Sequence, residues 1–352
     1  TLIGDGAADA LTTGSNNTVV GSGALSTATT ADNNIAVGFA ALAANTSGTS
    51  NTAVGTSALT ANTTASNNTA VGKGAADVNT TGTSLTAVGV NVLGANTTGS
   101  SNVGIGVDAL NSNTTASNNT AVGTNALDAN TTGGENTAVG LDALGANTTA
   151  ANNVAVGCAS LAANLAADNT AVGRAALEAN TTGTSNTAVG SRALDSNTTA
   201  AENTAVGAAS MTANTTGASN AAFGTDTLKS NTTGGSNTAL GAYSLDANTT
   251  ASYNTGVGVH ALGATTTGQQ NTAIGGESLD ANTTGGDNTA VGYGSLGANT
   301  TAEANTAVGK SALGANTTGY GNTAVGSLAL DASITANNNT AVGRAALTTS
   351  NG

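Results

Sequence analysis

Asn51-Thr52-Ala53-Val54-Gly55, then Thr56-Ser57-Ala58-Leu59-Thr60-Ala61, then Asn62-Thr63-Thr64-Ala65-Ser66-Asn67, is one complete unit of a chain that repeats this unit throughout its length. The glycine that closes the Ala-Val-Gly triplet recurs 21 times between Gly4 and Gly343, at a period of 17 residues. The one break in phase is the 16-residue step from Gly157 to Gly173, where Asn164-Leu165-Ala166-Ala167-Asp168 has lost a residue. Positions are numbered here from this glycine, plus for residues after it and minus for residues before.

A period of 17 is too short for a helix-turn-helix unit or a propeller blade, and the alternation around Ala-Val-Gly is of strand type. Each unit therefore reads as one coil of two short strands and two turns, stacked on the next at about 4.8 Å. The expected fold is all-β: a parallel β-solenoid, or β-roll, running over residues 1–352 as one continuous domain. Its 21 coils would make a rod roughly 100 Å long.

The columns of the repeat name the structural ladder. Position −1 is always apolar, as in Val54 and Val139, and position +4 is Leu in 18 of 21 units, as in Leu59 and Leu127. Position −2 is small almost throughout, beside the glycines Gly55 and Gly140, as close backbone packing requires. Asn stands at −4 in 19 of the 20 units that contain the position, as Asn51, Asn68, Asn136 and Asn186, and a second Asn column at +7 includes Asn62, Asn79 and Asn96. Stacked Asn side chains can hydrogen-bond into ladders along a solenoid. All 25 charged residues fall at +1, +2, +5, −5 and −6, which reads as the water-facing set. The acidic residues at +5 occupy adjacent coils only once, at Glu178 and Asp195, as avoidance of stacked like charge demands.

Composition excludes several functions. Only 7% of residues are charged and 2% aromatic, and the net charge of −13 offers no basic patch for a phosphate backbone, so no nucleic-acid partner is expected. No apolar run is long enough to span a bilayer, so no membrane insertion is expected. The start at Thr1-Leu2-Ile3-Gly4 falls mid-repeat and reads as a fragment of a longer fibre. A single cysteine, Cys158, cannot form an intrachain disulfide.

Catalysis has little to draw on: His260 is the only histidine, and no acidic pair recurs beside it in the sequence. No enzymatic activity, cofactor or metal is expected, since Asp enters the turns only sporadically, as at Asp168 and Asp287, where calcium-binding rolls need repeated carboxylates. The Asn-Thr-Thr triplets match the glycosylation sequon, yet Asn and Thr are also ordinary turn residues, and the turn reading is favoured. Phe39, Tyr243, Tyr253, Tyr293 and Tyr320 occupy different repeat positions and make no evident carbohydrate platform. The Thr column at −3 raises ice binding as an alternative; its replacement by Ile35, Val103 and Val154 argues for a face that is at least partly buried.

One Val and one Leu per coil bury too little apolar area to offset the ordering of 17 residues. A shared core between chains would relieve this, with Val on one core and Leu on a second held in common, and a homotrimer is expected. The sequence Asn136-Thr137-Ala138-Val139-Gly140 resembles the Ser-x-Ala-Ile-Gly core of YadA-like trimeric autotransporter adhesin heads. Arrays of Asn-Thr-Ala-Val-Gly with Ala-Leu and Asn-Thr-Thr-Gly are similar to phage tail-fibre β-roll repeats, and this resemblance covers essentially the whole chain. It implies a left-handed, homotrimeric β-roll serving as shaft or head of an extracellular attachment fibre, on a bacterial surface or a virion tail, directed at a cell-surface or host receptor. The repeat here is longer than the adhesin's by its inserted Asn-Thr-Thr-Gly turn. A self-assembling extracellular filament is the other alternative.

Overall fold

The computed structural model describes residues 1–348. It divides into two compact units, Thr1–Arg174 and Ala175–Gly352. Each unit is a parallel β-solenoid, and among the described residues there is no helix. The first unit holds β1 (Leu2–Ile3) and ten further strands from β2 (Thr18–Val20) to β11 (Thr170–Val172); the second holds ten, from β12 (Thr187–Val189) to β21 (Thr340–Val342). Successive strands within a unit pair in parallel and in register, so that Thr52, Ala53 and Val54 lie beside Thr69, Ala70 and Val71. The short coil is absorbed without loss of register, Val154 pairing with Thr170.

Among the described residues each coil has one strand, of three residues in all but β1, and not two. The second strand fails because the rest of the coil is broken by three residues in the left-handed region, at +2, +4 and −5. In the coil of Gly55 these are Ser57 at φ 59°, Leu59 at φ 50° and Asn67 at φ 63°. An extended segment cannot run through such residues. The glycine itself takes a φ that L-residues avoid, +136° at Gly55 and +139° at Gly140. A Cβ on Gly140 would also sit 2.6 Å from the Gly157 carbonyl carbon, so the coils stack there backbone on backbone.

The interior is narrow. Ala at −2 and Leu at +4 point inward, and Ala53, Ala138, Leu59 and Leu127 are wholly buried. Leu at +4 holds a conformation that costs an L-residue about 1–2 kcal/mol, and burial of its side chain, worth about 2–3 kcal/mol, offsets this. Side chains alternate along a strand, so with Ala inside, Thr at −3 and Val at −1 must face out. Val54 and Val139 are accordingly only half-buried. This reverses the expected assignment of a shared core to Leu: Leu fills the chain's own coil, and Val lies on its surface.

Two asparagine columns line the inside. At −4, each side-chain oxygen accepts from the backbone N–H of the Asn one coil on, as from Asn68 to Asn51 at 3.0 Å and from Asn203 to Asn186 at 3.1 Å. The amide group donates to the carbonyl 14 residues ahead, from Asn51 to Ala65 and from Asn136 to Ala150, both at 2.9 Å. At +7 the amides bond to one another, Asn62 donating to Asn45 at 2.9 Å and also to the Ala65 carbonyl at 3.0 Å. These +7 side chains head the Asn-Thr-Thr triplets, and Asn62, Asn79 and Asn96 are wholly buried. The folded coil leaves no room for a glycan on them.

The +7 ladder loses a link where the sequence breaks it. The side-chain oxygens of Asn147, Asn248 and Asn316 are buried without a partner. The next residues in the column are Asn164 of the short coil, Thr265 and Ser333. Thr265 and Ser333 have no amide to donate, and the amide of Asn164 donates to the Ala166 carbonyl at 2.7 Å, so the acceptor one coil before is unmet.

Candidate functional site

The repeat builds two uncharged surfaces separated by charged corners. Every charged residue is at least partly exposed, as expected, although the +2 column also holds the buried Gly74 and Ala175. Several uncharged columns also reach water. The strand face carries Thr at −3 and Val at −1, and its larger members are the more exposed: Ile35 is 41% exposed, Ile274 42% and Leu240 50%. No charged or amide side chain occupies either column in any coil.

The second face carries Ala at +6 and the Thr pair at +8 and +9. The +8 hydroxyl donates to the carbonyl of its counterpart one coil on, from Thr63 to Thr80 at 3.2 Å and from Thr97 to Thr114 at 3.1 Å. The backbone is tied in the same register, Thr97 N–H donating to Thr114 at 2.9 Å. This keeps the face as regular as the strand although it is not one.

One place departs from the repeat. His260 stacks on Tyr243 of the preceding coil, ring centroids 5.1 Å apart and planes 7° from parallel. Asp246, Glu277 and Asp280 line a groove of about 360 Å³ with His260 and Gly263. Tyr293 donates its hydroxyl to Glu277, which pushes the tyrosine's pKa up. Burial raises the carboxyl pKa of Asp246, and that of Asp280 with help from Glu277. No acidic pair stands beside His260 in the sequence, yet the fold gives it acidic neighbours. Positions +2 and +5 in neighbouring coils place these residues 14, 17 and 20 positions from His260, so a folded register, and not local sequence, brings them together. Among the described residues no group of three or more His, Cys, Asp or Glu side chains is placed to hold a metal ion. None of the described residues belongs to a helix long and apolar enough to cross a membrane.

The raised aspartates share a cause that the sequence contains. Asp77, Asp128, Asp246 and Asp280 all have carboxyl pKa values raised by burial. Each precedes a coil with glycine at the same position: Gly94, Gly145, Gly263 and Gly297. For Asp128, Asp246 and Asp280 the carboxylate lies over that glycine: a Cβ on Gly145 would lie 3.6 Å from Asp128 Oδ1.

This architecture defines the class: a parallel β-solenoid repeat protein. Compared with known proteins, the chain matches no protein-family model and no curated protein.

Proposed function

We propose that the chain is a structural and attachment segment of an extracellular homotrimeric fibre, the rigid shaft or head of a bacterial surface adhesin or phage tail fibre. One observation carries the reading. The −3 and −1 columns are partly exposed on the single chain, yet their substitutes are Ile, Val, Ala, Leu and Phe and never a polar residue. An exposed column free to vary would admit Asn or Ser, as the corners do. Coverage by further copies of the chain explains the restriction.

The size of the face supports this. A strand of three residues is about 10 Å wide, and ten coils at about 4.8 Å present roughly 500 Å² per unit, or about 1,000 Å² counting both partners. That is the lower bound of a specific interface. The number three comes from the resemblance to trimeric adhesin heads.

Light scattering coupled to size exclusion tests the proposal. Three times the chain mass supports it, and replacing Val54, Val88, Val122 and Val139 together by Lys should release monomers. A chain that is monomeric at micromolar concentration, or a Lys variant that stays trimeric, overturns it.

A further inference from the structure

The +9 column is exposed in every full-length coil of the described residues, and it does not vary as other exposed columns do. Among the 19 full-length coils that place this position in the described residues, 18 carry Thr and one carries Ser47. Position +1, equally open to water, holds Asp5, Phe39, Lys73, Leu141, Arg174 and Tyr293. Among the described residues no +9 hydroxyl makes a hydrogen bond within the chain; the neighbouring +8 hydroxyl does the structural bonding. Something outside the chain therefore accounts for the constancy of +9.

We infer that the Thr pair and the +6 Ala column form a face for the ordered water lattice of ice. Most coils present a Thr pair here, each a methyl and a hydroxyl, with the +8 hydroxyls held in one orientation by their bonds to the next coil. The repeat of about 4.8 Å is close to that of water oxygens along one axis of hexagonal ice. Methyl groups held in such a rank order the water over them, while hydroxyls anchor it by hydrogen bonds. Registered backbone bonds hold the rank rigid, so little freedom is lost on binding. The face has no charge at +6 to +10 in any coil, and a charge would hold its own hydration shell. It has no aromatic side chain at +6, +8 or +9, which sets it apart from a polysaccharide platform. This column is distinct from the −3 Thr column, whose hydroxyls share their face with Val.

The test is ice affinity and thermal hysteresis of the full chain. The wild type should be incorporated into a slowly growing ice hemisphere and depress the freezing point below the melting point. Thr98→Tyr, Thr115→Tyr and Thr132→Tyr in the first unit, combined with Thr233→Tyr, Thr250→Tyr and Thr267→Tyr in the second, should reduce the hysteresis several-fold with an unchanged melting temperature. If that variant fails to fold, Ser at the same six positions keeps the hydroxyl and, as Ser47 shows, suits the coil; loss of the methyl rank should again lower hysteresis. Exclusion of the wild type from ice, or undiminished hysteresis in the folded variants, overturns the inference.

Discussion

Gly104 and Val92 form a compensated pair, and exchanging one without the other should be costly. Gly104 lies at −2, where most coils have Ala; Val92 lies at +3 of the coil before, where Ala is again the commonest residue. The valine is wholly buried and fills the space that the missing Cβ leaves. Its φ is not left-handed, so the backbone would accept Ala at Gly104, but the added Cβ would fall less than 3.0 Å from Val92 Cγ1. Carbon atoms pack at about 3.5–4.0 Å, so Gly104→Ala overpacks the interior and should cost about 1–3 kcal/mol. Val92→Ala removes two methyl groups and leaves a void, for about 1–2.5 kcal/mol. Independent effects would sum to about 2–5 kcal/mol. The double variant instead recreates the Ala109 and Ala121 pairing of the following coils, and its loss should be under about 1 kcal/mol. Hydrogen exchange at the amides of β7 (Val103–Ile105) reads this locally, which suits a repeat array whose global unfolding need not be two-state. A double variant as unstable as the sum of the singles would refute the packing argument.

Thr265→Asn should stabilise the fold by about 1 kcal/mol, measured by urea unfolding, because the new amide can donate to the unpartnered Asn248 oxygen. At Leu127, Met should cost under about 1.5 kcal/mol, while the β-branched Ile should cost more despite its equal volume, since φ is +54°; paired thermal melts decide. For Asp77, Asp128, Asp246 and Asp280 the native carboxyls hold protons more tightly than the ordinary Asp, whose pKa is 3.8. The native state then binds more protons, so this contribution to stability is full below 3.8 and declines as pH rises through the raised native values. Asp32, held low by the backbone and hydroxyl of Ser15, works the other way from the surface. The melting temperature should therefore rise on going from pH 7 to about pH 4, and Asn at the four raised positions should flatten the profile.

The coil and its stacking were legible because a 17-residue period with one tolerated deletion allows only one register. The direction of the strand was not. Thr-Ala-Val invites the larger side chain inside, but the interior is narrow enough that Ala53 fills it and Val54 is turned out. The sequence does carry a signal for the left-handed positions. Thr and Val are among the commonest residues of the chain, yet no Thr, Val or Ile stands at +2, +4 or −5 in any coil. A β-branched side chain in that backbone region collides with its own main chain. That exclusion also explains why +4 is Leu, Met or Ala, and never Val, although all are apolar. The groove at His260 was hidden for a different reason: its residues meet across coils, and only the fold sets which columns share a corner.

The same backbone positions explain where charge is allowed. Two of the five charged columns, +2 and −5, are themselves left-handed, and +1, +5 and −6 adjoin a left-handed residue or the glycine. The charged side chains at these corners all reach water, whereas +4, also left-handed, turns its Leu inward, as at Leu59 and Leu127. On the straight segments each side chain is held against its counterparts about 4.8 Å above and below, where a charge would lose hydration on both sides. Absence of charge along a column therefore reports straight, registered stacking and not burial, as the exposed Thr at +9 demonstrates. The two uncharged faces must then be told apart by what replaces the commonest residue. On the strand face the substitutes are apolar, which fits the proposed coverage by further copies of the chain. On the Thr-pair face the +9 column, in the full-length coils of the described residues, yields only to Ser47, which keeps the hydroxyl, as a surface that meets water requires.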